Sequence, residues 1–234
     1  MLGIENQVCV KNLTYIIFWG VFVKDLCHNK KTKSMKYYIT QRQSLLKAVV
    51  LWIAFAMVPL TISAQSFTLN NGEGEVSVTG TSTLHDWEEV AEQKSGSMTL
   101  ENTGELPKIN SLKFTVEAES LKSGKGAMDK NTYKALETKD HKQIVFVLKG
   151  VKSISPVTSS SNKYKVVATG SLTIAGSTNT IDLPFNLTIN QGKVLLEGKK
   201  GLKMTDFNVD PPKALLGTIT TGDEIEVHYN TVWK

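Results

Sequence analysis

Three histidines follow residue 64, and their imidazole rings could bind a metal ion or transfer a proton: His85, His141 and His228. A zinc site needs three or four ligands that converge on one point. No two of these histidines stand four residues apart, and no carboxylate pattern accompanies them. The spacing therefore predicts no metal site. His141, between Asp140 and Lys142, and His228, on the polar side of a strand, are expected in solvent.

Paired carboxylates could hydrolyse glycosides, and the chain has two such pairs, Glu88–Glu89 and Glu117 with Glu119. Glu117 and Glu119 share the polar side of one predicted strand, which is typical of a solvated face. The sequence contains no Gly-x-Ser-x-Gly, His-Glu-x-x-His or P-loop motif. Both cysteines, Cys9 and Cys27, precede residue 64. We therefore predict no catalytic residue and a protein that is not an enzyme, with an unrecognised hydrolase as a remote alternative.

Charge is unevenly distributed along the chain. Residues 1–64 contain eight basic and two acidic side chains, a net charge of +6, whereas residues 65–234 contain 19 and 20, a net charge of −1. The sequence pI of about 9.0 is thus a property of the first part alone. Residues 65–234 also contain no arginine. Because nucleic-acid binding depends on a basic surface, we expect no nucleic-acid partner.

The segment 35–64 has the organisation of a secretory signal peptide. Lys36, Arg42 and Lys47 precede an apolar run at 48–58, and small residues lead to Ala64. The run is shorter than the ~20 apolar residues that span a bilayer, which favours a signal peptide over the alternative of a membrane anchor. Cleavage near Ala64 would leave residues 65–234 periplasmic or secreted.

Residues 1–34 have no place in that scheme, because Met35 would itself begin the signal peptide. We interpret them as an upstream extension from a mis-assigned start. The remaining 170 residues suffice for one domain with a core of its own.

Those residues show a two-residue alternation of apolar and polar side chains, which is typical of β-strands. The clearest case is 181–189, whose odd positions are apolar and whose even positions are not, and Pro184 there suggests an edge or a bulge. Short turn signals between the runs favour antiparallel hairpins. We predict an all-β fold, an eight-stranded antiparallel barrel, with a two-sheet sandwich as the alternative. The predicted strands are 67–80, 96–101, 111–119, 143–150, 164–174, 180–190, 193–199 and 223–233.

One segment breaks this pattern: residues 122–137 read as a short helical insert. The apolar faces of the strands carry no charge, so we expect an apolar interior. Whether that interior is hollow or filled by side chains stays open at this point. The small residues Ala118, Ala168 and Gly170 would leave room near one end.

Four stretches resemble the YceI-like family of secreted β-barrel proteins associated with polyisoprenoid and lipid binding. They follow one another in the family's order over the whole of 65–234, although each is weak alone. The sequence departs from the family at Met128, where an arginine often stands. The four stretches are 80–87 (ending in Leu-His-Asp-Trp), 116–124 with 128–129, 135–136 and 144–146, then 170–178 with 181–183, and 204–207 with 211–212 and 225–227.

The resemblance implies a lipocalin-like barrel that holds an isoprenoid or other apolar lipid, with no further cofactor. Residues 124–136 of the helical insert would form the mouth or, alternatively, a plug, and Asp129 would cap the helix. Head-group contact is expected from His85, Trp87 and Asp129, while for His85 a purely structural role is the alternative. The residues expected to line the cavity are Phe114, Val116, Met128, Leu136, Phe146, Leu148, Leu172, Ile174, Leu183, Phe185, Val227 and Tyr229.

The same resemblance leaves transient membrane contact and a homodimer open. The alternative function is a packed-core structural or protein-interaction module of the cell envelope.

Overall fold

The structure, a computed structural model, describes residues 64–101, 106–158, 160 and 162–234, without the side chains of residues 214 and 215. The predicted extension 1–34 and, apart from Ala64, the predicted signal peptide 35–64 lie outside the described residues. In the part of the chain that is described, no helix is both long and apolar enough to cross a membrane.

Twelve β-strands dominate the described residues, and one α-helix, α1, spans Gly126–Ala135. Short 3-10 turns lie at Ala118–Ser120, Thr205–Phe207 and Leu215–Gly217. The strands are β1 Gln65–Leu69, β2 Gly74–Ser82, β3 Trp87–Ala91, β4 Lys94–Glu101, β5 Lys108–Glu117, β6 Leu121–Lys122, β7 Gln143–Pro156, β8 Lys163–Ile174, β9 Ser177–Asn190, β10 Lys193–Lys203, β11 Lys213–Ala214 and β12 Ile219–Trp233.

The strands pair antiparallel and close into a barrel. Pairing runs β1-β4-β5-β7-β8-β9-β10-β12-β2-β3-β6, and β11 pairs only with β12. Because β3 and β4 are consecutive pieces of the segment 87–101, and β6 continues β5, the two ends of this order meet. Thr68 of β1 and Lys234 exchange two backbone hydrogen bonds of 2.7 and 2.9 Å, which ties β1 to the end of β12.

Eight segments of chain therefore build the barrel wall, and the predicted all-β, lipocalin-like barrel is confirmed. The strand count differs, because three of the eight segments are broken into two pieces each. The run predicted at 67–80 is interrupted by a turn at Asn71–Gly72, where Gly72 has a φ of 84°. The strand β3 and the short β6 and β11 were not predicted, and Glu119 lies in a 3-10 turn rather than in a strand.

Tight hairpins connect the central strands. The β8–β9 turn holds Ala175 and Gly176 at φ 46° and 75°, and the β9–β10 turn holds Gln191 and Gly192 at φ 40° and 79°. Two consecutive residues with positive φ are typical of the two-residue turns that match strand twist. These turns fix the registers of the three strands β8, β9 and β10. As a result, the even-numbered side chains of β8 and β10 face the barrel interior.

One end of the barrel is packed solid. Side chains from six strands are buried there and contact one another: Leu69, Leu100, Ile109, Val166, Leu187 and Val194. Leu100, Leu187 and Val194 have no exposed surface at all. This solid end holds most of the fully buried side chains, and we expect it to supply most of the fold's stability.

A layer of three aromatic side chains ends the solid packing, and we call it the aromatic floor: Phe114, Phe146 and Trp233. The rings of Phe114 and Trp233 are tilted by 49° with centroids 6.3 Å apart, and the Trp233 Nε1 donates to Thr231 Oγ1 at 3.0 Å. Two glycines make room for the rings. A Cβ on Gly96 would lie 2.4 Å from the Trp233 ring, and one on Gly170 would lie 2.3 Å from that of Phe146.

Beyond the aromatic floor the interior is hollow, so a buried leucine should matter more on one side of the floor than on the other. Leu187→Ala in the solid end is expected to lower the free energy of unfolding by about 2–5 kcal/mol, because it leaves a new void. Leu183→Ala on the same strand should cost about half of that or less, because it only widens an existing space. Urea unfolding measures both values, and equal losses would contradict a barrel that is solid at one end only.

Candidate ligand cavity

The hollow end of the barrel encloses a cavity of about 440 Å³. That volume lies in the range of small-molecule sites, roughly 300–1,000 Å³. The aromatic floor forms its base, α1 covers one side of its open end, and the inner faces of the strands form its wall. Most of the wall is apolar, as shown by Val76, Val78, Leu112, Ile144, Leu172, Ile174, Ile181, Leu183, Phe185, Leu196, Leu202, Ile225 and Val227.

The helix α1 presents one face to the cavity. The residues that line it recur with helical spacing, so they lie on one side of the helix: Ala127, Met128, Asn131, Thr132, Ala135 and, at the C-cap, Leu136. The helix begins after Lys125 without a side-chain cap, and the predicted cap at Asp129 is wrong. Asp129 lies in the first turn, where its Oδ1 accepts hydrogen bonds from the Ser123 backbone N–H at 2.9 Å and the Ser123 hydroxyl at 2.6 Å. These bonds hold the pKa of the Asp129 carboxyl below its usual range.

Tyr133 fixes the opposite face of α1 to the wall. Its hydroxyl lies 2.8 Å from the Glu119 carbonyl oxygen and 2.9 Å from that of Leu121, and Lys122 Nζ donates to the same hydroxyl at 2.5 Å. The Thr138 hydroxyl, just beyond the helix, donates to Glu119 Oε1 at 2.9 Å. All these contacts are with the 118–122 segment, so this face of the helix is anchored to that part of the wall.

The open end of the cavity, which we call the mouth, combines apolar and basic side chains. Leu84 lines it while 66% exposed. The exposed lysines Lys125, Lys203 and Lys213 also line it. Among described residues the lining includes four lysines and a single acidic side chain, although residues 65–234 as a whole carry slightly more acidic than basic groups. The described cavity lining therefore carries a net positive charge.

His85 and Trp87 also lie at the mouth, as the sequence predicts. His85 Nδ1 is 2.8 Å from the Asp86 carbonyl oxygen, and its Nε2 is 3.5 Å from Lys125 Nζ. The Trp87 indole packs over Gly80, and its Nε1 donates to the Thr81 carbonyl at 3.1 Å. Asp129, the third predicted head-group contact, does not line the cavity and is occupied by Ser123.

Eleven of the twelve predicted cavity residues line the cavity, and the exception is Leu148. Leu148 lies half-buried on β7 and packs against the core from the region where β7 pairs with β8 alone. That the eleven contact a ligand stays a prediction. The expectation of room beside Ala118, Ala168 and Gly170 is wrong. Ala118 and Ala168 are tightly packed, and the Phe146 ring occupies the space over Gly170.

The wall opens where β9 and β10 part. They pair from Lys193–Asn190 to Glu197–Asn186 and no further. Pro184 lies just past that point, which agrees with the edge position expected for it. The Tyr229 hydroxyl crosses the gap and donates to the Pro184 carbonyl at 2.5 Å, passing over Gly198. Burial raises the pKa of the Tyr229 phenol, so it remains a neutral donor at physiological pH.

Two charged side chains interrupt the wall, and the expectation of an uncharged interior is wrong at these points. Lys200, half-buried on the inner face of β10, lines the cavity. Glu89 on β3 also lines it while only 2% exposed, and the Thr132 hydroxyl donates to its Oε1 at 2.5 Å. Burial raises the pKa of the Glu89 carboxyl, and Asp129 adds to the rise, whereas Thr132 and Lys122 lower it.

Sequence reasoning missed Glu89 because it treated Glu88–Glu89 as one pair. Alternation along β3 sends Glu88 to the exposed outer side and Glu89 inward. The signal that could have revealed it was the apolar partner at the next odd position, Ala91, which is also buried.

The remaining candidate side chains lie apart. His141 packs against Gly176, whereas the His228 Nε2 lies 3.1 Å from Glu226 Oε1 on the outer face of β12. Gln143 donates to Glu117 at 2.7 Å. No group of three or more His, Cys, Asp or Glu side chains that could hold a metal ion occurs among the residues with described positions.

The family model described as the YceI-like domain matches residues 63–233, which confirms the resemblance seen in the four stretches. The fold is similar to that of Burkholderia cenocepacia BcnA, with 21% identity and a TM-score of 0.53 over 68% of this chain and 95% of that one. It is also similar to a polyisoprenoid binding domain from Saccharophagus degradans implicated in plant cell wall breakdown, with 12% identity and a TM-score of 0.54 over 74% and 99%. Comparison with curated protein sequences finds no match.

Substitution of the buried carboxyl should change how stability depends on pH. Because the pKa of Glu89 is raised on folding, the wild type loses stability as pH rises from the unfolded value of about 4.3 through the folded pKa. Glu89→Gln has no proton to lose there. The stability of Glu89→Gln relative to wild type should therefore be higher at pH 7 than at pH 4. Urea unfolding at both pH values measures this difference in the free energy of unfolding.

The matched control for this test is Glu88→Gln, because Glu88 is the exposed neighbour on the same strand. It should show the same difference from wild type at both pH values. A difference for Glu89→Gln that is equal at pH 4 and pH 7 would mean that Glu89 titrates as an ordinary exposed carboxyl.

Proposed function

The chain belongs to the YceI-like domain family, and we propose that it is a non-enzymatic binding protein that holds an apolar lipid, an isoprenoid or another long-chain lipid, inside its barrel. The observation that carries this proposal is the cavity of about 440 Å³, open at one end, with a mostly apolar wall. A barrel built only for stability would fill this space with side chains. The cavity thus argues for a ligand over a packed-core structural module.

The energetics of the cavity suit a hydrocarbon chain. Each methylene that leaves water for an apolar wall gains roughly 0.8 kcal/mol. Ordering the chain and losing its translational freedom offset a large part of that gain. Binding driven by area alone would tolerate different chain lengths, so isoprenoid and acyl chains fit the same wall. The family and the polyisoprenoid-binding relative favour an isoprenoid.

A binding role without catalysis agrees with the chemistry of the wall. Among the described residues, the titratable side chains that reach the cavity are His85 and lysines at the mouth, Lys200 in the wall, Tyr229 on a backbone carbonyl, and Glu89 on Thr132. None of these forms a nucleophile paired with a base, as covalent catalysis needs. We therefore assign the cavity to holding a lipid rather than to transforming one.

Export belongs to the same proposal. Cleavage of a signal peptide near Ala64 would release the barrel into the periplasm or the medium, where a lipid needs shelter from water. The mouth suits brief contact with an anionic membrane, because exposed Leu84 stands beside Lys125 and Lys213. A homodimer stays open.

Filling the cavity should abolish lipid uptake. In Leu183→Trp the larger side chain would occupy the space between the aromatic floor and α1. We expect the affinity for a polarity-sensitive apolar fluorophore to fall at least about tenfold while the barrel remains folded. Fluorescence titration measures the affinity, and circular dichroism checks the fold.

Leu195→Trp is the matched control, because Leu195 is the outward-facing neighbour of the cavity residue Leu196. Its affinity should equal that of the wild type. Native mass spectrometry of protein purified from its host should in addition detect a stoichiometric lipid in the wild type and none in Leu183→Trp. A wild-type protein that binds neither fluorophore nor lipid would exclude the proposed function.

A further inference from the structure

The cavity contains one buried acid whose hydrogen-bonding capacity is only partly used. Glu89 is 2% exposed and lines the apolar wall. Its Oε1 accepts the bond from Thr132, which also lines the cavity. Within the described residues its other carboxyl oxygen, Oε2, has no hydrogen-bond partner. No side-chain oxygen there is both without a partner and completely enclosed by protein atoms, so Oε2 must keep some accessible surface. The free oxygen therefore retains access to the cavity space.

Glu89 lies on β3 two residues beyond Trp87, which is at the mouth, and its strand neighbours lead across the wall to Lys200. It pairs in register with Val78 on β2, which pairs with Val227 on β12, which pairs with Lys200 on β10. Glu89 and Lys200 thus stand on the same level of the wall, three strands apart, or roughly 14 Å along the sheet. The two residues between them are apolar, so Glu89 and Lys200 act on the cavity as separate polar points.

Burying an acid in an apolar wall costs free energy unless a partner compensates it. Thr132 supplies one bond, and the other charged groups near the carboxyl oppose each other: Asp129 from α1 and Lys122 from β6. Burial raises the pKa of Glu89 and so favours its protonated form, in which Oε2 is a hydroxyl that can donate a hydrogen bond. In its ionised form the same oxygen can accept. A partner that both donates and accepts satisfies it in either state.

We propose that Glu89, held by Thr132, is the position inside the cavity that recognises an uncharged oxygen-bearing group of the lipid, a hydroxyl above all. This inference rests on the proposed function and names the class of lipid. A hydroxyl donates to an ionised carboxylate and accepts from a neutral carboxyl. A carboxylate or phosphate head is repelled by ionised Glu89, so it is disfavoured at this point and suits the lysines of the mouth instead. The bound lipid is therefore an alcohol rather than an acid at the level of Glu89.

The test compares dodecane and dodecanol, which share a chain and differ by one hydroxyl. Their dissociation constants are measured by displacement of the apolar fluorophore from wild type, Glu89→Leu and Glu89→Gln. The ratio of the dodecane constant to the dodecanol constant should fall about 2- to 12-fold in Glu89→Leu, the size of one net hydrogen bond. It should be retained in Glu89→Gln, whose amide also donates and accepts.

Comparing one pair of probes across variants cancels the difference in their solubility. Glu88→Leu, on the outer side of the same strand, is the matched control and should leave the ratio unchanged. An unchanged ratio in Glu89→Leu, with both probes still bound, overturns the inference and leaves the proposed function standing. Failure of wild type to bind either probe overturns both. Wild type at pH 7 could instead bind dodecanoate more tightly than dodecanol and lose this preference in Lys200→Met. In that case the head group is anionic and the inference is wrong.

A second measurement does not depend on whether Glu89→Leu folds. Infrared difference spectra of wild type at a pH where Glu89 is protonated should show a shift of its carboxyl C=O stretch when dodecanol binds. Dodecane should cause no such shift, and Glu89→Gln should lack the band. A carboxyl band that responds equally to both probes overturns the inference.

Discussion

The aromatic floor is the constraint on which the rest of this barrel depends. Closing eight strand segments points every inward side chain at one shared axis, and that axis must be either filled or left open. Here Phe114, Phe146 and Trp233 divide it, and the missing Cβ atoms of Gly96 and Gly170 leave space for the rings of Trp233 and Phe146. Below the floor aliphatic side chains reach native packing. Above it the wall is too wide for them to meet.

That division separates stability from binding. The solid end buries side chains from β1, β4, β5, β8, β9 and β10 at almost no exposure, so the fold does not need the hollow end to be filled. The hollow end can therefore hold features that a packed core would exclude. These are a helix anchored along one side, a gap between β9 and β10 bridged by Tyr229, and two charged side chains. Each carries a polar cost that close packing elsewhere offsets.

Glu89 shows how a cavity wall differs from a core. In a packed interior an acid with one free oxygen would be strongly destabilising. In a wall that faces open space, the same oxygen keeps access to water or to a ligand. The residue therefore stands where an apolar cavity can acquire chemical selectivity without losing its capacity for a hydrocarbon chain.

The alternation of apolar and polar side chains along the strands could be predicted from the sequence, because it depends only on residues that are neighbours in the chain. The odd positions of 181–189 and 225–233 each predict one buried face, and the turn residues after Ile189 favour antiparallel order. The break at Asn71 coincides with an Asn-Gly pair, which is a turn signal in the sequence, whereas the break after Ala91 has no such signal. Eleven of the twelve expected lining residues reach the cavity, because they follow the alternation of side chains along the strands. Leu148 does not reach it, because β7 pairs only with β8 at that point.

By itself, then, the sequence determined the all-β class, the helical insert and the direction of most apolar side chains, since these follow from spacing along the chain. Four stretches of it also resemble the family to which the chain belongs. Only the tertiary structure decided that one half is solid and the other hollow, that Asp129 accepts hydrogen bonds from Ser123 and lies outside the cavity lining, and that Glu89 is the inward member of its pair. The physical reason is that a cavity, its floor and the environment of a buried acid depend on side chains from distant strands. Their meeting is set by closure of the barrel rather than by any local pattern.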